Sequence, residues 1–170
     1  MIDFTNIEYL KSGNERQRKA YEVLSGYRIF EKLKACSPVL AGTVPIGIDV
    51  EGSDLDVICE AKDKLEFEKL LINSFSEFEL KVKSFEINGE NAVTGQFMAE
   101  GFLIEIFGQN KPAVAQDAYR HMIAEYRILQ EKDDDFKNRI IALKKQGIKT
   151  EPAFGILLGL DHPYEDLLKF

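Results

Sequence analysis

Several features are scarce in this 170-residue sequence, and each scarcity excludes a class of protein. No apolar run approaches the roughly 18 residues that a membrane-spanning helix needs. The only two cysteines, Cys36 and Cys59, lack metal-site spacing, and we expect them to remain reduced thiols. Residues 1–19 lack the basic start and apolar core of a signal peptide. Together these absences predict a cytoplasmic protein with no membrane partner.

Positive charge is also scarce. The chain carries 22 lysines and arginines against 29 aspartates and glutamates, for a net charge of −7. Tight, non-specific binding to nucleic acid needs a basic surface, so nucleic acid is not the expected partner. A small nucleotide is not excluded, because a divalent cation and a few local basic groups would suffice for its phosphates.

Residues 39–60 carry the most informative pattern in the chain. An apolar run at 39–41 predicts one strand, and residues 53–59 predict a second. Side chains alternate along a strand, so Asp54 and Asp56 would lie on one face, roughly 6–7 Å apart at the backbone. Two carboxylates held together repel unless a cation or proton lies between them. The pair therefore predicts a site for Mg²⁺ (or Mn²⁺), which prefer oxygen ligands.

Gly42 and Thr43, directly after the first strand, add a second element to this site. Glycine lets backbone amides approach a phosphate closely, and the threonine hydroxyl adds a donor. Ser53 supplies another hydroxyl beside the aspartates. A phosphate cradle next to a metal-binding pair is the skeleton of a phosphoryl or nucleotidyl transfer site.

The remaining patterns predict an α+β fold, with a mixed, mainly antiparallel sheet, helices on one side and a C-terminal helical part. The first helix carries Arg16, Arg18 and Lys19, which we interpret as a solvated face rather than a phosphate site. We expect one domain over residues 1–170, with its core at about 14–108 and the helical part at about 112–170. Predicted helices span 14–34, 63–75, 112–130 and 133–146, with short ones from 150 and 161, and further strands span 77–87, 91–99 and 102–107, separated by turns at Asn88-Gly89 and Glu100-Gly101.

Glu105 is the one charged residue in the apolar stretch 101–108. An isolated buried carboxylate is costly, so Glu105 is either at an exposed strand end or held by a cation.

Gly42-Thr43, a spacer and Asp54-Leu55-Asp56 resemble the G-[GS]…D-x-D motif of the DNA polymerase β-like nucleotidyltransferase superfamily, with threonine where serine is usual. The stretches GTVPIGIDVEGSDLDVICE (42–60) and QDAYRHM (116–122) more closely resemble an uncharacterised bacterial family, a domain of unknown function within that superfamily. The resemblance implies a nucleotidyltransferase-like fold, with Glu105 as a third carboxylate. It also makes Arg120 and His121 candidates for phosphate contacts, although a lone histidine on a helix is more often a packing residue.

Two functions follow as hypotheses. The first is a metal-dependent nucleotidyltransferase that moves an NMP from an NTP to an unidentified acceptor: a small hydroxylated molecule such as an antibiotic, a protein side chain or, least compatible with the charge, an RNA end. The alternative is a non-catalytic nucleotide-binding or interaction module on the same fold. A third interpretation is that the acidic pair only caps a turn.

Overall fold

The computed structural model describes residues 2–87 and 89–170. Within these residues, the strands are β1 (Val39–Ala41), β2 (Leu55–Glu60), β3 (Lys81–Ile87), β4 (Glu90–Ala99) and β5 (Phe102–Gln109). The α-helices are α1 (Glu15–Gly26), α2 (Ile29–Lys32), α3 (Lys64–Ser74), α4 (Asp117–Glu131), α5 (Asp134–Lys145), α6 (Thr150–Leu158) and α7 (Pro163–Asp166). Short 3-10 helices span Glu8–Ser12, Lys34–Cys36, Ala113–Ala115 and Leu167–Lys169.

The strands form one sheet in the order β1-β2-β5-β4-β3. β2 and β5 are parallel, and the other neighbouring pairs are antiparallel. The three strands from β3 to β5 form the predicted meander. The predicted mixed, mainly antiparallel α+β fold is therefore confirmed.

Alternation of side chains along the strands divides the core into two clusters, one on each face of the sheet. Leu55, Val57 and Cys59 of β2 belong to the cluster that includes residues of α1 and α3. Ile58 of the same strand belongs to the cluster that includes residues of α4, α5 and α6. As predicted, α1 and α3 pack together on one side of the sheet. The C-terminal helices instead cover the opposite face, beside β1 and β2.

Side-chain caps begin three of the predicted helices where the sequence places them. Asn14 and Gln17 form a reciprocal capping box at α1. The Asp63 carboxylate accepts a hydrogen bond from the Glu66 amide at α3, and Asp133 does the same for Phe136 at α5. These caps satisfy amides that have no partner within the helix.

Four predicted boundaries are wrong. The helix predicted from residue 112 begins at Asp117, after the 3-10 helix Ala113–Ala115. The helix predicted over 14–34 is interrupted at Arg28, whose φ of 56° is left-handed, so the chain turns between α1 and α2. β2 begins at Leu55, so Ser53 and Asp54 precede it, and residues 77–80 are not part of β3. The predicted Asn88-Gly89 turn includes residue 88, which lies outside the described residues.

Both cysteines are free thiols. Across 2–87 and 89–170, no helix combines the length and apolar character needed to cross a membrane.

Candidate functional site

A cleft of about 680 Å³ lies between the polar face of the sheet and the C-terminal helices. The sheet contributes carboxylates, the turn after β1 contributes Gly42 and Thr43, and α4 to α6 contribute the opposite wall. Gln116, just before α4, donates hydrogen bonds of 2.9 Å to the carbonyl oxygens of Cys59 and Lys111, which ties the start of α4 to the end of β2. The wall that closes the cleft is therefore held directly to the sheet.

The three predicted carboxylates line this cleft together. Asp56 on β2 lies directly across from Glu105 on β5, and Asp54 immediately precedes β2. Neighbouring strands are about 4.8 Å apart, so the Asp56 and Glu105 carboxylates project from adjacent positions on one face. Gln96 on β4 is opposite Glu105 and donates a hydrogen bond to its Oε2 atom. Glu105 is thus held inside the cleft and not at an exposed strand end.

Burial and the repulsion between its acids both act on this cluster. The pKa of Asp56 is raised to about 7, mainly by burial, and the neighbouring charges of Asp54 and Glu105 contribute to this rise. The positive charge of Lys144 opposes this rise. A cation bound between the carboxylates would relieve this repulsion.

Gly42 forms a left-handed turn, with φ of +82°, against the carboxylate of Asp56. Thr43 follows it, and its carbonyl oxygen accepts a 3.1 Å hydrogen bond from the amide of Ile48. The Ser53 hydroxyl accepts a 2.9 Å hydrogen bond from the Val50 amide, which closes the turn before Asp54. The structure brings Gly42, Thr43 and Ser53 to the same cleft as the carboxylates.

Arg16 holds the loop that leads to Asp54. The prediction that it lies on a solvated helix face is therefore wrong. Its Nη2 donates a 2.9 Å hydrogen bond to the carbonyl of Ser53, and its guanidinium lies 4.3 Å from the ring centroid of Phe102. Its Nε is 3.3 Å from Oδ2 of Asp49, in an ion pair that is not aligned as a hydrogen bond. Arg16 thereby connects α1, β5 and the loop in front of β2.

Lys144 on α5 and Glu125 on α4 complete the opposite wall of the cleft, and neither was predicted. Burial lowers the pKa of Lys144, and the nearby charges of Glu125 and Asp49 counteract part of that effect. One signal was present in the sequence: Lys137 and Lys144 are seven residues apart and so share one face of α5. Lys137 lies over the turn at Gly47, which places this face above the loop between β1 and β2.

His121 and Arg120 are placed differently, although they are adjacent in sequence. His121 lines the cleft, with Nε2 2.7 Å from the carbonyl oxygen of Tyr164. Arg120 forms an ion pair of 3.1 Å with Asp117 and lines a separate depression with Tyr119. The structure therefore brings His121, and not Arg120, to the carboxylates.

The donor set suits a hard divalent cation, because Asp54, Asp56 and Glu105 offer carboxylate oxygens. As these side chains stand, however, the described part of the chain contains no group of three or more His, Cys, Asp or Glu residues arranged around a metal position. Glu105 is turned toward Gln96 by its hydrogen bond.

The fold is shared with solved nucleotidyltransferase structures at low sequence identity. The GLD-2/RNP-8 complex superposes with a TM-score of 0.55 at 13% identity, over 90% of this chain and 63% of that chain. The polymerase core of TRAMP, an RNA surveillance complex, has a TM-score of 0.55 at 11% identity, over 95% and 50%. The Cid1 poly(U) polymerase with Mg 3'-dATP bound has a TM-score of 0.53 at 12% identity, over 81% and 45%.

This chain therefore spans less than two thirds of the length of each of these solved chains, and the likeness shows the fold alone. No curated protein sequence matches the chain. The family model of a domain of unknown function, DUF4269, matches residues 22–170, which include both stretches that suggested such a family. The chain belongs to the DUF4269 family, with a fold similar to the polymerase β-like nucleotidyltransferases.

Proposed function

We propose that this protein is a metal-dependent nucleotidyltransferase that moves an NMP from an NTP to an acceptor. The observation that supports it most directly is the pairing of Asp56 with Glu105 across β2 and β5, with Asp54 beside them, at the base of the cleft. The volume of about 680 Å³ is within the usual range for small-molecule sites, about 300–1,000 Å³.

Asp54, Asp56 and Glu105 are the residues that would hold Mg²⁺ (or Mn²⁺). When bound, such an ion neutralises charge on the triphosphate and on the developing transition state. The chain's own part is to keep these carboxylates together despite their repulsion. Gly42 contributes by packing against Asp56, and Arg16 by fixing the loop in front of Asp54.

The phosphates would be met by the turn after β1 and by α5. The backbone of Gly42 and Thr43, with the hydroxyls of Thr43 and Ser53, lies on one side of the cleft, and Lys144 lies on the other. The charges of several acidic groups act on Lys144, but it forms no ion pair of 4 Å or less with any residue that the structure describes. A lysine kept in this way is available to an anionic substrate.

In the proposed reaction the acceptor's oxygen attacks the α-phosphorus, the bond from that phosphorus to the pyrophosphate oxygen breaks, and the acceptor's proton leaves. Glu105 is suited to receive this proton through Oε1, because Gln96 engages only Oε2. Pyrophosphate departs past Lys144. His121 lies on the same wall of the cleft, and Arg120 is outside it.

The direct test is calorimetric titration of ATP, GTP, CTP and UTP, with and without Mg²⁺, on the wild type and on Asp54→Asn/Asp56→Asn. We expect Mg²⁺-dependent binding of at least one nucleotide, which the double variant loses. Asp134→Asn/Asp135→Asn removes the same charge from an exposed helix start and is the matched control. Folded wild-type protein that binds none of the four nucleotides would rule the proposal out, and binding that needs neither Mg²⁺ nor the aspartates would indicate a non-catalytic module.

A further inference from the structure

The wall of the cleft that faces the carboxylates contains its own acidic group. His121 and Glu125 are four residues apart on α4 and so lie on the same side of that helix, and Glu151 approaches them from α6. The function proposed above gives Glu125 and Glu151 no part in binding metal or phosphate. It places His121 on the wall of the cleft without a defined role.

Glu125 is the member of this group whose surroundings are most unusual for its charge. It is only 3% exposed, yet it makes no side-chain hydrogen bond and no ion pair of 4 Å or less with the residues that the structure describes. Burial and the charge of Glu151 raise its pKa to about 8. A buried carboxylate without a partner ionises only at a cost, and the position of Glu125 at the cleft surface lets a cation from outside the chain reach it and stabilise the ionised form.

His121 presents a second unused acceptor. The carbonyl of Tyr164 can only accept, so the proton of a neutral His121 must be on Nε2, 2.7 Å away, and Nδ1 is left with a free lone pair. Nδ1 is 3.7 Å from Oε1 of Glu151, too far for a direct hydrogen bond. With the ring neutral, a donor placed between Nδ1 and Oε1 of Glu151 would satisfy both acceptors.

Within residues 2–87 and 89–170, no lysine or arginine forms an ion pair of 4 Å or less with Glu125 or Glu151. Lys144 is the nearest, but it forms no ion pair of 4 Å or less with Glu125 or Glu151 in the described structure, and it also lies within reach of the charges of Asp49 and Asp54. Lys149, the other lysine of the cleft, is exposed to solvent.

From this geometry we propose that Glu125, Glu151 and Nδ1 of His121 form a subsite for an ammonium group, and that the acceptor is therefore a small hydroxylated amine. An ammonium carries three N–H donors and no acceptor, which matches two carboxylates and one imidazole nitrogen. That the bound amine is the acceptor of the transferred NMP rests on the proposed function. Binding of an amine at this subsite can be tested independently of that function.

The test uses glucosamine and glucose, which differ by one ammonium in place of a hydroxyl, titrated into nucleotide-free protein and followed by NMR. The variants are Glu125→Gln/Glu151→Gln, with Glu125→Gln alone as the second variant. Glu22→Gln/Glu131→Gln is the matched control, since it removes the same charge from two exposed positions outside the cleft. Melting curves verify that each variant is folded.

We expect glucosamine to bind more tightly than glucose and to shift amides around α4 and α6. Glu125→Gln/Glu151→Gln should weaken glucosamine binding by about tenfold or more, since charge-assisted hydrogen bonds are lost, while the control should not. Equal binding of the two sugars, binding of neither, or full affinity in the double variant would overturn the subsite. Amine binding by a protein that binds no Mg²⁺-nucleotide would instead leave the subsite standing and refute the transferase.

Discussion

Gly42 lies so close to Asp56 that any side chain at position 42 would overlap the Asp56 carboxylate. A Cβ there would meet Oδ2 and would stand 3.3 Å from Cγ. The backbone of Gly42 is also left-handed, with φ of +82°. The turn after β1 and the acidic residue on β2 are thus fitted to each other, which couples the phosphate side of the proposed site to its metal side.

Gly42→Ala should therefore lower the free energy of unfolding by much more than the strain of a positive φ alone explains. Gly52 is the matched control: its φ is +83°, but nothing lies within 4 Å of its Cβ position. We expect Gly52→Ala to cost about 1–2 kcal/mol of unfolding free energy through backbone strain. Gly42→Ala should cost more and should abolish Mg²⁺-dependent nucleotide binding, as measured by urea unfolding and calorimetry. Equal losses in the two variants would show that the Asp56 contact is unimportant.

The features of the site that depend on neighbouring residues could be predicted from the amino-acid sequence. The turn at Gly42-Thr43 and the alternation around Asp56 follow from residue type and strand geometry, and so do the caps at Asp63 and Asp133. Glu105 was identified as a carboxylate in an apolar strand. Only the structure shows that β5 lies parallel to β2, with Glu105 opposite Asp56.

What could not be predicted depends on packing between distant segments. Arg16 resembles any charged residue on a helix until α1 is placed against the loop before β2, 37 residues away. Glu125 was hidden for the opposite reason, because a glutamate on an amphipathic helix is normally solvated, and here tertiary packing buries it. The left-handed turn at Arg28 breaks a helix whose apolar periodicity continues through it.

Arg16→Ala should loosen the loop that leads to Asp54. The variant loses the hydrogen bond to Ser53 and the contact with Phe102, and it leaves the half-buried Asp49 without its partner. We expect a loss of about 2 kcal/mol in unfolding free energy and weaker Mg²⁺-nucleotide binding. Arg18→Ala, on the exposed side of α1, should change both by little. A fully stable Arg16→Ala protein with unaltered nucleotide affinity would contradict this role.

The stability of the metal-free protein should fall as pH rises from about 4.5 to 8. The pKa of Glu125 is raised from 4.5 to about 8 in the folded state, so over this interval the folded protein binds a proton that the unfolded chain has released. Ionising Glu125 above that range costs on the order of 5 kcal/mol. Glu125→Gln should remove this component.

The measurement is urea unfolding at several pH values, in EDTA, for the wild type and Glu125→Gln. The difference between the two proteins isolates Glu125 from Asp56, whose pKa of about 7 gives a change of the same sign at lower pH. We expect the variant to gain stability relative to wild type at pH 8 and to lose that advantage near pH 5. A difference that does not change with pH would mean that Glu125 is ionised in the fold throughout.

Lys144→Gln should weaken nucleotide binding in proportion to the number of phosphates. Lys144 lies across the cleft from the turn at Gly42-Thr43, so its charge acts on the triphosphate rather than on the base or ribose. We expect ATP affinity to fall about tenfold or more, AMP affinity to fall much less, and the salt dependence of ATP binding to decrease. Lys145→Gln, which removes the same charge from the exposed neighbouring position, should leave these affinities unchanged. Parallel losses for ATP and AMP would instead mean that Lys144 supports the cleft wall, whose acids Glu125 and Glu151 would then repel each other without it.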